Sequence, residues 1–191
     1  GGINALCSVM DGKKSMLLLR LTNGAIYGLK FNGDIPEKKL VLLLPAQPGF
    51  KKERSRWADA NQYVPEPEPK LKVIIVKGIQ HVFAAYTETA ALYPFVNGKF
   101  DLKNAIRFNV PRAFSITTGD VRKKGFDDIV IAARAEHNGK ECCFSYPAAA
   151  EGVWRDADRV PIYSNRITDA IIADFGSKDL SLALFESNTD T

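Results

Sequence analysis

Short strand-like segments separated by turn signals run through the whole chain, and this pattern limits the possible folds more than any other feature. Apolar and β-branched runs recur, whereas no segment of useful length carries apolar residues at helical spacing. The dipeptides Asn23-Gly24, Asn32-Gly33 and Asn97-Gly98 are typical of turns between antiparallel strands. The sequence therefore predicts an all-β protein.

The predicted strands fall on either side of one irregular segment. Three consecutive strands, at residues 16–21, 25–31 and 39–44, form a predicted meander. Further strands are predicted at 72–77, 81–87, 90–96, 105–110, 113–117, 128–135, 141–146, 159–163, 167–173 and 180–186. Residues 48–69 break the pattern. We interpret them as a surface insertion and not as a domain boundary, because the strands resume beyond them.

The insertion combines basic and aromatic side chains with the proline-rich run 65–69, which favours an extended path. Its candidate partner-binding residues are Lys51, Lys52, Arg54, Arg56, Trp57 and Tyr63. Arginine and aromatic residues are typical of hot spots for a protein partner. The same residue types also suit stacking on nucleic acid, but the acidic residues of the insertion dilute its charge and disfavour that partner. A solvated loop without a partner is the remaining alternative.

A turn followed by an apolar strand recurs four times. Taking Asp11, Lys77, Asp120 and Asp174 as equivalent positions, the spacings are 66, 43 and 54 residues, and the insertion lies inside the longest one. A period near 54 residues with four short strands per unit is typical of a β-propeller blade. The predicted blades are residues 1–47, 70–112 and 113–165, with an incomplete one at 166–191.

The third copy, GDVRKKGFDDIVIAA from Gly119 to Ala133, resembles an FG-GAP or VCBS repeat, the blade unit of integrin-like propellers. The turn of that repeat typically reads D-x-[D/N]-x-[D/N]-G-x-x-D before an apolar strand. Asp120, Gly125 and Asp128 match its first, sixth and ninth positions. The resemblance implies a binding role in an adhesion-like, cell-surface or secreted context, or in the propeller casing of a toxin-like assembly.

The same turn departs from the family where calcium would bind. The resemblance implies oxygen ligands at positions one, three, five and nine, but positions three and five are Arg122 and Lys124. Calcium needs oxygen ligands, and two cations oppose it. We therefore predict a degenerate, metal-free turn in which Arg122 or Lys124 neutralises Asp120 and Asp128. No cofactor is predicted.

The length supplies about three and a half blades, fewer than the roughly four to eight with which propellers close. The chain also begins at Gly1-Gly2 without a methionine or a leader. Both features favour one piece of a larger propeller, completed by other residues of the same protein or by another subunit.

Composition leaves the function open. The net charge of +4 is weak support for nucleic acid, and no apolar run is long enough to span a membrane. Cys7, Cys142 and Cys143 fit neither a zinc site nor a disulfide framework, and we predict that they are small buried residues. Together with the absence of a glycosylation sequon, they lean against a eukaryotic secretory route.

No catalytic motif stands out, so the favoured function is a non-catalytic module that presents loops to a protein or a glycan. One alternative is a propeller enzyme acting on polysaccharide through channel carboxylates. Its candidates are Asp11, Asp120, Asp169 and Asp174. The segment 151–158 could offer Asp156 and Asp158 to a sugar or a cation. A Cys–His pair between His137 and Cys142 or Cys143 is disfavoured.

Overall fold

The computed structural model of the chain describes residues 2–46, 68–164, 166–176 and 179–186. Fifteen strands form four antiparallel sheets, and within the described ranges the only helical element is a short 3-10 turn at Asp156–Asp158. The all-β prediction is confirmed. No closed ring of sheets is detected among these residues.

Sheet 1 is a four-stranded meander. Its strands are β1 (Ile3–Asp11), β2 (Lys14–Leu21), β3 (Ile26–Asn32) and β4 (Ile35–Leu44), hydrogen-bonded in chain order. The sequence prediction missed β1, because Asn4 and Ser8 interrupt its apolar pattern. It also started β4 four residues late, because Glu37 and Lys38 are polar, although Ile35 and Pro36 before them already pair with β3.

Two further sheets follow, and the chain then forms a hairpin. Sheet 2 consists of β5 (Lys72–Val76), β6 (Ile79–Ala85), β7 (Ala90–Val96), β8 (Lys99–Phe100) and β9 (Ile106–Phe108), the last two both pairing with β7. Sheet 3 consists of β10 (Ala113–Gly119), β11 (Asp128–His137), β12 (Lys140–Tyr146) and β13 (Val160–Tyr163). The hairpin pairs β14 (Ile167–Asp174) with β15 (Leu180–Glu186).

The four repeat positions fall at the same place in each sheet. Asp11 and Asp174 end first strands, whereas Lys77 and Asp120 follow first strands directly, so all four lie where the first strand turns into the second. Lys77 has a positive φ of 50° and precedes Gly78, which gives this turn its left-handed backbone. The sequence repeat therefore corresponds to a structural repeat of the first turn.

Three apolar cores lie between consecutive sheets. Sheets 1 and 2 enclose one core around Met16, Leu18 and Tyr93. Sheets 2 and 3 enclose the largest, around Phe83, Phe108 and Ile131, where the Phe108 and Tyr146 rings meet edge to face. Sheet 3 and the β14–β15 hairpin enclose the third core. Side chains alternate between the two faces of a strand, so each middle sheet contributes to two cores.

Candidate functional site

The turn between β10 and β11 is held in its shape by hydrogen bonds among the turn's own residues. The Asp120 carboxylate accepts hydrogen bonds from the backbone N–H groups of Lys124 and Gly125, both at 2.7 Å. Gly125 has a positive φ of 82°, which a β-carbon would strain. Asp120 therefore closes the turn as an acceptor for backbone groups.

A guanidinium occupies the other half of the turn. Arg122 Nε and Nη2 donate to the Asp128 carboxylate at 2.7 to 3.0 Å, and Nη2 also donates to the Ala148 carbonyl. Asp128 is only 5% exposed and also accepts the Ala148 N–H at 2.8 Å. The fork-shaped pairing of arginine with a carboxylate satisfies both oxygens in a fixed geometry. Arg122 thus neutralises Asp128 and ties the turn to the end of β12.

A second cluster lies where three sheets meet. The Asp169 carboxylate on β14 accepts hydrogen bonds from Lys70 Nζ and from Ser115 Oγ, the latter at 2.7 Å, and lies 3.5 Å from Lys72 Nζ. Ser115 is fully buried. Partial burial raises the pKa of Asp169, but the hydrogen bonds from Lys70 and Ser115 outweigh it and bring the pKa to about 2. Asp169 is therefore ionised at neutral pH, and its hydrogen bonds and ion pairs link the three sheets.

The contacts of Asp169 constrain how the sheets are arranged. Lys72 belongs to sheet 2 and Asp169 to the hairpin, and sheet 3 lies between them. Sheets packed face to face are ~10 Å apart, so a parallel stack would hold these two backbones ~20 Å apart, beyond the reach of an ion pair. The backbone N–H of Lys70 also donates to the Phe114 carbonyl of sheet 3. Sheets 2, 3 and the hairpin therefore converge along the edge formed by their first strands.

Sheet 1 contacts sheet 2 through a buried arginine. Arg20 is fully buried on β2 and donates from Nη2 to the Ala85 carbonyl of sheet 2 at 2.9 Å. Its Nη1 is 3.4 Å from Asn4 Oδ1, and Asn4 in turn donates to Glu68. Residues 68–72 thus contact sheet 1 at one end and reach Asp169 at the other. Burial lowers the pKa of Arg20, and nearby Tyr86 and Glu68 oppose this shift.

The sequence prediction missed the roles of Lys70, Lys72, Ser115 and Arg20 and treated Asp169 only as a possible channel carboxylate. One signal was present, because Arg20 and Asp169 are single charged residues inside otherwise apolar strand segments. A charge in such a position is rarely fully buried unless it is paired. The identity of its partner could not be read from the sequence.

The remaining predicted residues are not brought into one site. The insertion residues 51–63 lie outside the described residues. Asp11 pairs with Lys30 at 3.3 Å, and Asp174 accepts the N–H of Gly176 at 2.8 Å. Asp156 accepts hydrogen bonds from Tyr146 Oη and the Asn109 N–H, which fasten the loop after β12 to the body of the chain.

The histidine and cysteine side chains have separate environments. His137 Nδ1 lies 2.8 Å from Tyr163 Oη, whereas Cys143 Sγ donates to the Ile162 carbonyl. Cys142 and Cys143 are buried, as predicted, whereas Cys7 is only partly buried; all three cysteines are free. Burial raises the pKa of Cys7 and of Cys143 to about 12, so neither thiol ionises near neutral pH.

Two searches of the described part of the chain were negative. No group of three or more His, Cys, Asp or Glu side chains in these ranges has a geometry that could hold a metal ion. No helix in them is both long and apolar enough to cross a membrane.

Fold and geometry define the class of this protein as an all-β chain of consecutive antiparallel sheets with apolar cores between them. A scan against protein-family models matched none of them, and a search of curated proteins found no significant match. The functional interpretation consequently depends on the chain's own geometry.

Proposed function

We propose that the chain is a segment of an FG-GAP/VCBS-type β-propeller that acts as a non-catalytic binding or scaffold module. The observation that carries this proposal is the contact of Lys70 and Lys72 with Asp169 across sheet 3. Blades of a propeller surround a common axis, so their innermost strands converge while their outer strands separate. The recurrence of Asp11, Lys77, Asp120 and Asp174 at one turn of each sheet supports the same proposal.

The proposed contact surface for a protein partner is the insertion between sheets 1 and 2. Loops on a rigid β scaffold can present side chains to a partner without altering the packed core. Arg54 and Arg56 beside Trp57 and Tyr63 are the residue types that contribute most to protein interfaces, and Lys51 adds positive charge. The apolar core between sheets 1 and 2 would hold the two flanking sheets, and with them the base of this loop, in a fixed relation.

Pairs of spin labels test the convergent arrangement. One pair, at Ser8 on β1 and Ile171 on β14, spans all four sheets near the converging edge; the other, at Glu37 on β4 and Val160 on β13, spans three sheets near the outer strands. We expect the first distance, measured in labelled chain diluted with unlabelled chain, to be no longer than the second. A parallel stack would give about 30 Å for the first pair and about 20 Å for the second, and this result would contradict the proposal.

A capture experiment tests the binding role. The full chain is compared with a variant carrying Lys51→Glu, Lys52→Glu and Trp57→Ala, and with a matched control carrying Lys38→Glu and Lys39→Glu on β4. We expect a specifically captured protein to be lost with the insertion variant and kept with the control. Equal capture by all three chains would instead assign the chain to a scaffold role that does not use the insertion.

A further inference from the structure

Four turns of the chain contain asparagine followed by glycine, which is a reactive dipeptide. The asparagines are Asn23, Asn32, Asn97 and Asn138, and all four are exposed. The backbone nitrogen of the glycine can attack Cγ of the asparagine side chain, because glycine has no β-carbon to hinder the approach. The bond from Cγ to Nδ2 then breaks, and Nδ2 leaves as ammonia with the proton of the glycine nitrogen. Water opens the resulting five-membered succinimide to aspartate or isoaspartate. Since all four turns share this dipeptide, their conformations decide which asparagine reacts.

Two of these asparagines lie in left-handed turns. Asn97 and Asn138 each have a φ of 52°, and the glycine after each has a φ of 72°. Each dipeptide forms the two-residue loop of a hairpin. Positive φ at both loop residues defines a type I′ turn, in which ψ of the first residue is about +30°. This ψ turns the following nitrogen away from the side chain, so attack on Cγ requires the turn to open.

Hydrogen bonds restrain a third asparagine. The N–H of Gly24, which carries the attacking nitrogen, donates to the Leu21 carbonyl at 2.9 Å. Gly24 is buried, and a buried N–H that loses its acceptor costs free energy. Asn23 Oδ1 also accepts the Ala25 N–H at 3.1 Å, which holds the side-chain amide in place. Succinimide formation at Asn23 therefore has to break both contacts.

Asn32 has neither restraint. It is the last paired residue of β3, opposite Ile35, so the two turn residues are Gly33 and Asp34. Gly33 has a φ of 63°, whereas Asn32 lies outside the left-handed region. In an extended strand ψ is about +135°, which leaves the following nitrogen nearer to the side chain than a type I′ turn does. Among the residues that the structure describes, neither the Gly33 N–H nor the Asn32 side chain forms a hydrogen bond. Fraying of the last strand pair is then enough to let the nitrogen reach Cγ.

We infer that the folded chain deamidates spontaneously at Asn32, and that the other three turns protect their asparagines. The reaction replaces a neutral amide by a carboxylate, so each event lowers the net charge by one. Isoaspartate also adds a methylene to the backbone where β3 pairs with β4. The longer backbone cannot keep the regular spacing of a strand ladder. The modification should therefore loosen this end of β4.

Peptide mapping of the full chain by mass spectrometry tests the inference. The chain is incubated at mildly alkaline pH, either folded or unfolded in guanidinium chloride, and amide loss is followed at each of the four asparagines. In the folded chain we expect Asn32 to react at least about fivefold faster than any of the others, because they must first open a structured turn. In the denaturant we expect four similar rates. Ammonia release from the folded chain should fall strongly with Asn32→Ser and stay unchanged with the matched control Asn97→Ser.

The opposite results would overturn the inference. If Asn97 or Asn138 reacted as fast as Asn32 in the folded chain, the left-handed turns would give no protection. Faster reaction at Asn23 would show that its hydrogen bonds do not restrain it. If the excess at Asn32 persisted in the denaturant, the neighbouring sequence and not the fold would select the site. Ammonia release that Asn32→Ser left unchanged would place the main reaction elsewhere.

Discussion

Sheets 1 and 3 have similar apolar sequences but very different burial. In sheet 3 the consecutive residues Ile129 to Ala133 are at most 3% exposed, because sheet 2 covers one face and the hairpin covers the other. In sheet 1, Leu40, Val41 and Leu42 on the outer strand β4 are 38 to 52% exposed, because none of them belongs to a core of the described residues. Position in the series of sheets, and not hydrophobicity, decides which apolar residues become core.

The comparison also separates two kinds of polar contact. Near sheet 3, the buried Asp128 is bound by Arg122, and Asp169, although 24% exposed like Asp11, is bound by both Lys70 and Ser115. At the first turn of sheet 1, Asp11 and Lys30 form a pair whose side chains stay 24% and 42% exposed. An exposed pair of this kind is screened by water and contributes little to stability. The middle of the chain should therefore respond to polar substitution more strongly than its first sheet.

The largest contrast is expected from truncating apolar side chains. Ile131→Ala should lower the free energy of unfolding by about 2–5 kcal/mol, because it leaves a cavity in the core between sheets 2 and 3. Leu42→Ala should cost less than about 1 kcal/mol, because Leu42 is about half exposed. Urea unfolding of both variants measures the difference. Equal losses would show that Leu42 is covered in solution.

The next effect is expected at the turn between β10 and β11. Arg122→Ala leaves the buried Asp128 carboxylate without its guanidinium, and we expect a loss of about 1–3 kcal/mol. Lys124→Ala in the same turn should change stability by less than about 0.5 kcal/mol. Lys30→Ala, which breaks the exposed pair of sheet 1, should cost at most ~1 kcal/mol. Thermal and urea unfolding measure these losses. The ordering would be wrong if Lys30→Ala lowered the free energy of unfolding more than the other two substitutions.

Acid should affect the hairpin side of the chain before the sheet 1 side. The pKa of Asp169 falls from 3.8 to about 2 on folding, so its contribution is complete above about pH 4 and is lost as the pH falls toward 2. The Arg20 contact with the Ala85 carbonyl contains no carboxylate, so it should persist at this pH. Hydrogen exchange of β14 and β2 between pH 5 and 2 measures this, with Asp169→Asn as control. If β14 of the Asp169→Asn variant lost its protection from exchange over the same pH range as β14 of the wild-type chain, the role of Asp169 would be contradicted.

The smallest expected effect is that of calcium. Arg122 already supplies the positive charge that Asp128 needs, and Asp120 is satisfied by backbone N–H groups. Adding calcium should therefore leave the melting temperature unchanged, with magnesium as the ionic-strength control. A clear rise with calcium alone would show that the turn still binds the metal.

Much of the local structure was predictable from sequence. Turn dipeptides and β-branched runs indicated the strands, since tight turns and half-buried strands each need particular residue types. The four turn positions were found from their spacing. Strand β1 and the start of β4 were missed, because backbone pairing with a neighbour overrides a mixed side-chain pattern there. At the turn, Arg122 or Lys124 was predicted to neutralise the two carboxylates because all four residues lie in one short loop, and the structure assigns Arg122 to Asp128.

By itself, the sequence determined that the chain is all-β, that it repeats a first turn, and that one copy places Arg122 and Lys124 between the carboxylates of Asp120 and Asp128. These features depend on local backbone preference and on residue chemistry at fixed spacing. Only the tertiary structure decided that Asp169 meets Lys70 about a hundred residues away and that Leu40 and Leu42 on β4 stay about half exposed. Such contacts depend on which sheets become neighbours, and a strand pattern with two apolar faces does not encode its neighbours.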